Sequence, residues 1–255
     1  MTLNMVQMAC VPAKLYEWAR QSGMSIEDQD YLIHAALRAT FGAYGPQPFM
    51  VVDNPQVGPH VLTILGYSQS NKDALLGQRA MTAPPMLAEA LPGKHIACKK
   101  MPEKWPSDKV LGFSVRCCPI VRKSGGGEKD AFLAACDHAE TDKDLSRDPV
   151  YLDWLAREMG RNHAAEIENA TMQSFRFIRP VRKKNQGLRP AKLSGKTFDP
   201  GQKSPFVPKG SRPDVTFKGI LRIADSEAFS KLMARGLGRH RAFGFGMILL
   251  SPIKG

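Results

Sequence analysis

Hydrophobic and polar positions along this chain follow two periods, and the switches between them mark its elements. Residues 3–11 alternate loosely and stop at Pro12, which predicts an opening strand. Residues 13–21 read as a short helix or an ordered loop ending at Gly23. Ser25 stands three residues ahead of Asp28 in the manner of an N-cap with acidic first-turn residues. Tyr31, Ile33, Leu37 and Phe41 then recur at helical spacings until Gly42, predicting a helix over 28–41. Residues 48–52 and 61–67 are short β-rich runs, residues 70–81 predict a helix, and residues 110–121 a longer strand that Pro119 confines to its end. The order strand, helix, strand, strand, helix, strand is the split βαβ of a ferredoxin-like unit.

The second half repeats the theme less clearly. Ser124 and Gly125, Gly126 and Gly127 interrupt all periodicity and predict a linker. Residues 129–139 and 151–159 look helical, the latter with Tyr151, Leu155 and Met159 on one apolar face beside Trp154. Residues 170–181 are β-like, and the prolines at 190, 200, 205, 208 and 213 predict a loop. Residues 215–223 read as a strand, Ser226 as the cap of a helix to Leu237, and residues 242–250 as a closing strand behind a glycine-rich turn. The expected organisation is α+β, two tandem ferredoxin-like (βαββαβ) domains at 1–123 and 148–255 joined by a linker or insertion at 124–147. The first strand of the second unit is poorly marked.

At 255 residues and 43% hydrophobic, the chain has material for one or two cores. It has no apolar run of the roughly 18 residues a membrane helix needs, and residues 1–11 lack the features of a signal peptide. A cytoplasmic protein with no membrane partner is expected. Charge sharpens the picture: 36 Lys and Arg stand against 24 Asp and Glu, a net charge of +12. Twelve of the cations fall between residues 172 and 218, opposed only by Asp199 and Asp214, and the rest of the chain is nearly neutral. A single-sign cluster repels itself, so a polyanion, nucleic acid above all, is the expected counterpart. The five cysteines show no Cys-x-x-Cys spacing, and adjacent Cys117 and Cys118 would point to opposite faces of a strand. Reduced buried thiols are expected, with no metal and no cofactor.

The most distinctive segment runs from Gly236 to Gly246, reading Gly-Leu-Gly-Arg-His-Arg-Ala-Phe-Gly-Phe-Gly. Gly236, Gly238, Gly244 and Gly246 permit close backbone approach to a phosphate, and Arg239, His240 and Arg241 add charge. The order helix, loop, strand is the reverse of a Walker or Rossmann loop, which excludes those nucleotide folds. Taken alone, the glycines fit the packing of a strand under a helix equally well.

This segment, at the end of the chain, resembles the signature of the RAMP superfamily of CRISPR-associated proteins. Further blocks in order narrow the resemblance to the CasE family, the repeat-processing endoribonucleases of type I-E Cascade. They are Tyr31-Leu-Ile-His34 with Leu37 and Phe41; Pro48-Phe49; Phe113-Ser-Val-Arg116 and Pro119-Ile-Val-Arg122; Trp154-Leu155; and Phe217-Lys-Gly219-Ile-Leu221 ahead of Ala224-Asp225. Cys117 and Cys118 replace the family's small residue and Asn, residues 124–148 look inserted, and the loop over 184–212 is long.

The resemblance implies a RAMP-type fold and a metal-independent RNase. Such an enzyme binds the CRISPR repeat hairpin, cuts at its 3′ base to leave a 2′,3′-cyclic phosphate and a 5′-OH, and stays on the crRNA 3′ handle. Its other partners are Cascade subunits, the backbone RAMP subunit among them. His34 fits a proton carrier, with an ordinary pKa near 6.5, and Tyr31 one turn earlier shares its face. Arg38, four residues on, is placed to support them or is a solvated helix charge. Residues 177–184 look like the family's basic hairpin, making Arg179, Arg182, Lys183 and Lys184 stem contacts, with Arg176 at the hairpin's start. Cations along the phosphates of an A-form stem read shape more than sequence. His240 is the rival acid–base group. A RAMP subunit that holds guide RNA without cutting, and a metal-dependent nuclease, are the alternatives; the second lacks a carboxylate pair near the basic elements.

Overall fold

A computed structural model describes residues 2–52, 60–123, 125–138, 145–179 and 210–253. The first sheet holds β1 (Asn4–Cys10), β2 (Phe49–Val52), β3 (Leu62–Ser68) and β4 (Ala97–Lys100) in the antiparallel order β2-β3-β1-β4. Helices α1 (Pro12–Gln21), α2 (Gln29–Phe41), α3 (Lys72–Thr82) and α4 (Pro85–Ala90) complete this unit. Val6, Met8 and Ile64 from the sheet meet Leu15, Leu32, Ile33, Leu37, Phe41, Leu75 and Leu87 from the helices in one core. This is the βαββαβ order, with a second helix added in each crossover.

The second sheet has the matching order β10-β5-β9-β8, from β5 (Val110–Cys117), β8 (Ala165–Ile178), β9 (Arg212–Ile223) and β10 (Ile248–Ser251). Helices α6 (Arg147–Met159) and α7 (Ser226–Arg235) cover it, with Tyr151, Leu155, Phe229 and Met233 against Phe113, Val115, Phe217 and Leu221. The protein is thus a tandem ferredoxin-like α+β fold.

Three expectations change. The strand near 110–121, expected to close the first unit, is β5 and opens the second: Val110–Cys117 pairs with β9 along its whole length. The first sheet closes instead on β4, whose sequence Ala-Cys-Lys-Lys is short and mostly exposed, so no apolar alternation announces it. The first unit's strands therefore end well before the expected boundary at 123. The stretch expected as a linker is partly regular: β6 (Ile120–Arg122) pairs with β7 (Glu128–Asp130) across a turn at Gly126 and Gly127, and α5 (Ala131–Cys136) follows. Asp130 caps α5 through Phe132 N–H and accepts the Tyr151 hydroxyl at 2.9 Å, which ties this segment to the second core.

Caps also differ. Asp28, not Ser25, caps α2 by accepting Tyr31 N–H at 2.9 Å, and Asp225, not Ser226, caps α7. Residues 242–247, expected in the closing strand, instead finish a 3-10 turn (Arg241–Phe243) and then form a loop, where Gly244 and Gly246 take positive φ. Cys117 and Cys118 lie in separate apolar clusters; burial pushes the Cys118 thiol up to about 12, as it does Cys10. The two units share buried contacts, including the Tyr67 hydroxyl donating to Ile248 O at 2.8 Å. No helix among the described residues is long and apolar enough to cross a membrane.

Candidate functional site

Helix α2 turns Leu32, Ile33, Ala36, Leu37 and Phe41 into the first core, leaving Tyr31, His34 and Arg38 along the opposite side. Phe243, from the glycine-rich loop of the second unit, meets that side. Its ring stacks on Tyr31 at 6.2 Å between centroids and takes an edge contact with His34 at 5.0 Å. His34 also lines a cleft of about 380 Å³ with Arg38, Tyr44, Gln47, Ser68 and Ser70. Among the described residues its ring nitrogens have no hydrogen-bond partner. Burial, then the charge of Arg38, lowers its pKa below the ordinary 6.5. Arg38 is exposed and donates from Nη1 to Gly42 O at 2.9 Å, closing the helix.

His240 is held differently. Its backbone is left-handed, and its side chain is only 9% exposed. Nδ1 lies 2.9 Å from Arg212 Nη1, and Nε2 2.9 Å from Glu128 Oε2. A guanidinium can only donate, so Nδ1 accepts and the Nε2 hydrogen goes to Glu128. Both nitrogens are engaged and the neutral tautomer fits. Arg239 also donates to Glu128, at 2.8 Å, and Arg241 to Arg235 O at 2.8 Å.

The four loop glycines act as a joint. A Cβ on Gly246 would stand 2.2 Å from Leu237 O, on Gly236 2.8 Å from Pro48, on Gly238 2.9 Å from the Trp154 ring and on Gly244 2.8 Å from Asp30. The Gly236 N–H donates to Leu232 O and the Gly246 N–H to Arg116 O, both at 2.7 Å. These two amides therefore cannot cradle a phosphate, as the sequence had suggested; they close the loop on the protein.

Arg116, Asp30 and Asp214 carried no functional expectation. Arg116 on β5 donates through Nε and Nη2 to Asp214 and through Nη1 to Asp30 at 2.8 Å, with its guanidinium 4.4 Å over the Phe245 ring. Arg176 on β8 donates to the same Asp214 at 2.7 Å. Asp30 precedes Tyr31, so a continuous ionic chain joins the strand that begins the basic segment to the first turn of α2. Arg116 lay in a quoted sequence block, but its acidic partners have no local signal. Arg179 is exposed; Arg182, Lys183 and Lys184 lie outside the described residues. Among the described residues, no three His, Cys, Asp or Glu side chains gather as a metal site would require.

The pattern of a family described as CRISPR associated protein matches residues 14–252. The chain belongs to that CRISPR associated family. The CasE resemblance read from its sequence holds with it. No curated protein matches the sequence. Among solved structures, this CRISPR associated protein is similar to the CRISPR endoribonuclease Cse3 bound to a 19-nucleotide RNA, at 14% identity and TM-score 0.61, over 99% of this chain and 100% of that one. It is similar to Thermus thermophilus Cse3 bound to an RNA representing a pre-cleavage complex, at 14% identity and TM-score 0.62, with the same coverage. Cas6e from Escherichia coli K-12 aligns at 19% identity and TM-score 0.53, over 99% of this chain and 100% of its own. Likeness at these identities establishes the shared fold.

Proposed function

We propose that this protein is a metal-independent endoribonuclease that cuts precursor CRISPR RNA at the 3′ base of the repeat hairpin and stays on the crRNA 3′ handle among other Cascade subunits. The observation that carries this reading is the His34 imidazole. It is held beside Tyr31 by Phe243, has no protein hydrogen bond among the described residues, and borders a cleft in a strongly basic chain. The similarity to Cse3 and Cas6e supports it.

In this mechanism His34 is neutral near pH 7 because its pKa is lowered, and it takes the proton from the 2′-hydroxyl. The 2′-oxygen bonds to the adjacent phosphorus, and the bond to the 5′-oxygen breaks. Tyr31 supplies the proton to that leaving oxygen, giving a 2′,3′-cyclic phosphate and a 5′-OH. Charge building on the phosphate is met by guanidinium: Arg38 uses one donor on Gly42 and has others to offer. Arg176 and Arg179, with Arg182, Lys183 and Lys184, grip the stem. His240 serves the structure, since both its nitrogens are engaged.

The test is cleavage of a repeat hairpin in excess EDTA. Wild type is expected to cut once per enzyme, and His34→Ala to bind equally but not cut. Full-rate cleavage by His34→Ala would overturn the site. Binding without cutting by wild type would make the protein a guide-RNA-binding subunit, and a strict need for Mg²⁺ would remove the metal-free mechanism.

A further inference from the structure

A second concavity, of about 400 Å³, lies between β6, the end of α6 and the start of the glycine-rich loop. Arg122, Arg157, Arg161 and Arg239 line it, with Glu158 and Gly238. We propose that it is a further RNA-backbone site, taking phosphates of the unpaired nucleotides that flank the hairpin; this rests on the endoribonuclease reading above.

Charge is the first argument. Four guanidinium groups and one carboxylate line a space large enough for a nucleotide, and with Asp153 on Arg157 and Glu128 on Arg239 counted, a positive surplus remains. That surplus, with Arg122 exposed among these groups, favours an anion in the concavity. Arg122 is exposed at the end of β6. Arg157 pairs with Asp153, at side-chain exposures of 64% and 69%, and Arg161, 56% exposed, pairs with Glu158, which is 14% exposed. An exposed pair such as Arg157–Asp153 contributes only about 0–1 kcal/mol, so a phosphate can replace it at little cost. Guanidinium is also the side chain whose planar fork matches a phosphate.

The floor beneath these arginines is fixed. The Trp154 indole N–H donates to Ile120 O at 3.3 Å, joining α6 to β6. Gly238, at φ +65°, seats the loop against the Trp154 ring, where a Cβ would come to 2.9 Å. That glycine sets Arg239 at the rim. Its backbone geometry thus serves a binding site indirectly, by placing the next side chain.

Position is the third argument. Arg239 and Phe243 are four residues apart, so their Cα atoms lie within about 14 Å. Phe243 touches both Tyr31 and His34. An RNA strand cut beside His34 therefore passes within reach of the concavity after a few nucleotides, and unpaired chain can bend to follow it.

The experiment compares a stem-loop without flanks to one carrying unpaired nucleotides on either side. The protein is wild type or the triple variant Arg122→Glu, Arg157→Glu, Arg161→Glu, with Arg122→Gln, Arg157→Gln, Arg161→Gln as a milder variant that keeps the fold should charge reversal disturb it. Wild type is expected to bind the flanked RNA more tightly. Both variants are expected to lose that gain, about 10-fold or more for the Glu set, and the salt dependence of flanked-RNA binding falls by about two phosphates. Affinity for the bare stem-loop and the single-turnover rate at saturating RNA stay unchanged. Flanked-RNA binding by both variants equal to wild type would overturn the proposal and leave the patch to an acidic protein surface. Wild type that neither binds nor cuts the hairpin would instead remove the endoribonuclease reading.

Discussion

Arg116 donates from Nη1 to Asp30 Oδ2 at 2.8 Å, across 86 residues of sequence and from one ferredoxin-like unit to the other. Through its other two contacts it fills both oxygens of Asp214, which is 4% exposed. The relationship places the start of α2, and with it Tyr31, relative to the second sheet. Burial raises the Asp30 pKa while the Arg116 charge opposes that rise, so the pair depends on its geometry.

Arg116→Ala leaves Asp214 buried without its fork of donors. A broken buried ion pair costs about 3–5 kcal/mol, and the partial exposure of Asp30 puts this one near the lower figure. Urea denaturation of Arg116→Ala is expected to show that loss, and Arg116→Lys a smaller one. A change below about 1 kcal/mol for the alanine would mean that the chain does not hold the two units together.

The lowered His34 pKa gives a pH dependence with a definite sign. Below its pKa the imidazole is protonated and cannot take the 2′-hydroxyl proton, so kcat/KM rises with pH through a midpoint under 6.5 in the free enzyme. NMR titration of the His34 ring is expected to give the same midpoint. Arg38→Gln removes the smaller of the two causes and moves the midpoint upward without restoring 6.5. A midpoint above 6.5 in wild type would contradict the burial of this ring.

Phe243 holds Tyr31 and His34 through ring contacts alone. An aromatic pair contributes about 0.5–1.5 kcal/mol, so Phe243→Ala is expected to slow single-turnover cleavage by up to about 10-fold while RNA affinity changes little. Rapid-quench rates measure the first effect and filter binding the second. A large loss of affinity with an unchanged rate would assign Phe243 to binding.

Gly246→Ala tests the loop as a joint. At φ +78° an alanine is strained by about 1–2 kcal/mol, and its Cβ would collide with Leu237 O. A loss of at least about 2 kcal/mol in thermal or urea unfolding is expected. Normal stability with weakened RNA binding would return this glycine to the role of a phosphate contact.

The helix that carries the candidate site was readable because its apolar residues recur at helical spacing, and the same spacing put Tyr31, His34 and Arg38 on one side. The strand β5 was readable as a strand for a similar reason, yet nothing in Val110–Cys117 says which sheet it joins. Alternation records which side of a strand is buried, and either core can bury it. The edge strand β4 escaped notice because an exposed Ala-Cys-Lys-Lys has no apolar face to display.

The site divides along the same line. Sequence was enough to pick out two histidines in suggestive surroundings, His34 on its helix and His240 among glycines and arginines. It could not rank them on geometry, because what engages His240 is Glu128, 112 positions away, and what flanks His34 is Phe243 from the far end of the chain. Local order along a chain sets which groups share a face; the hydrogen bonds that occupy a ring nitrogen, or leave it for a substrate, come from segments brought together by burial of apolar surface.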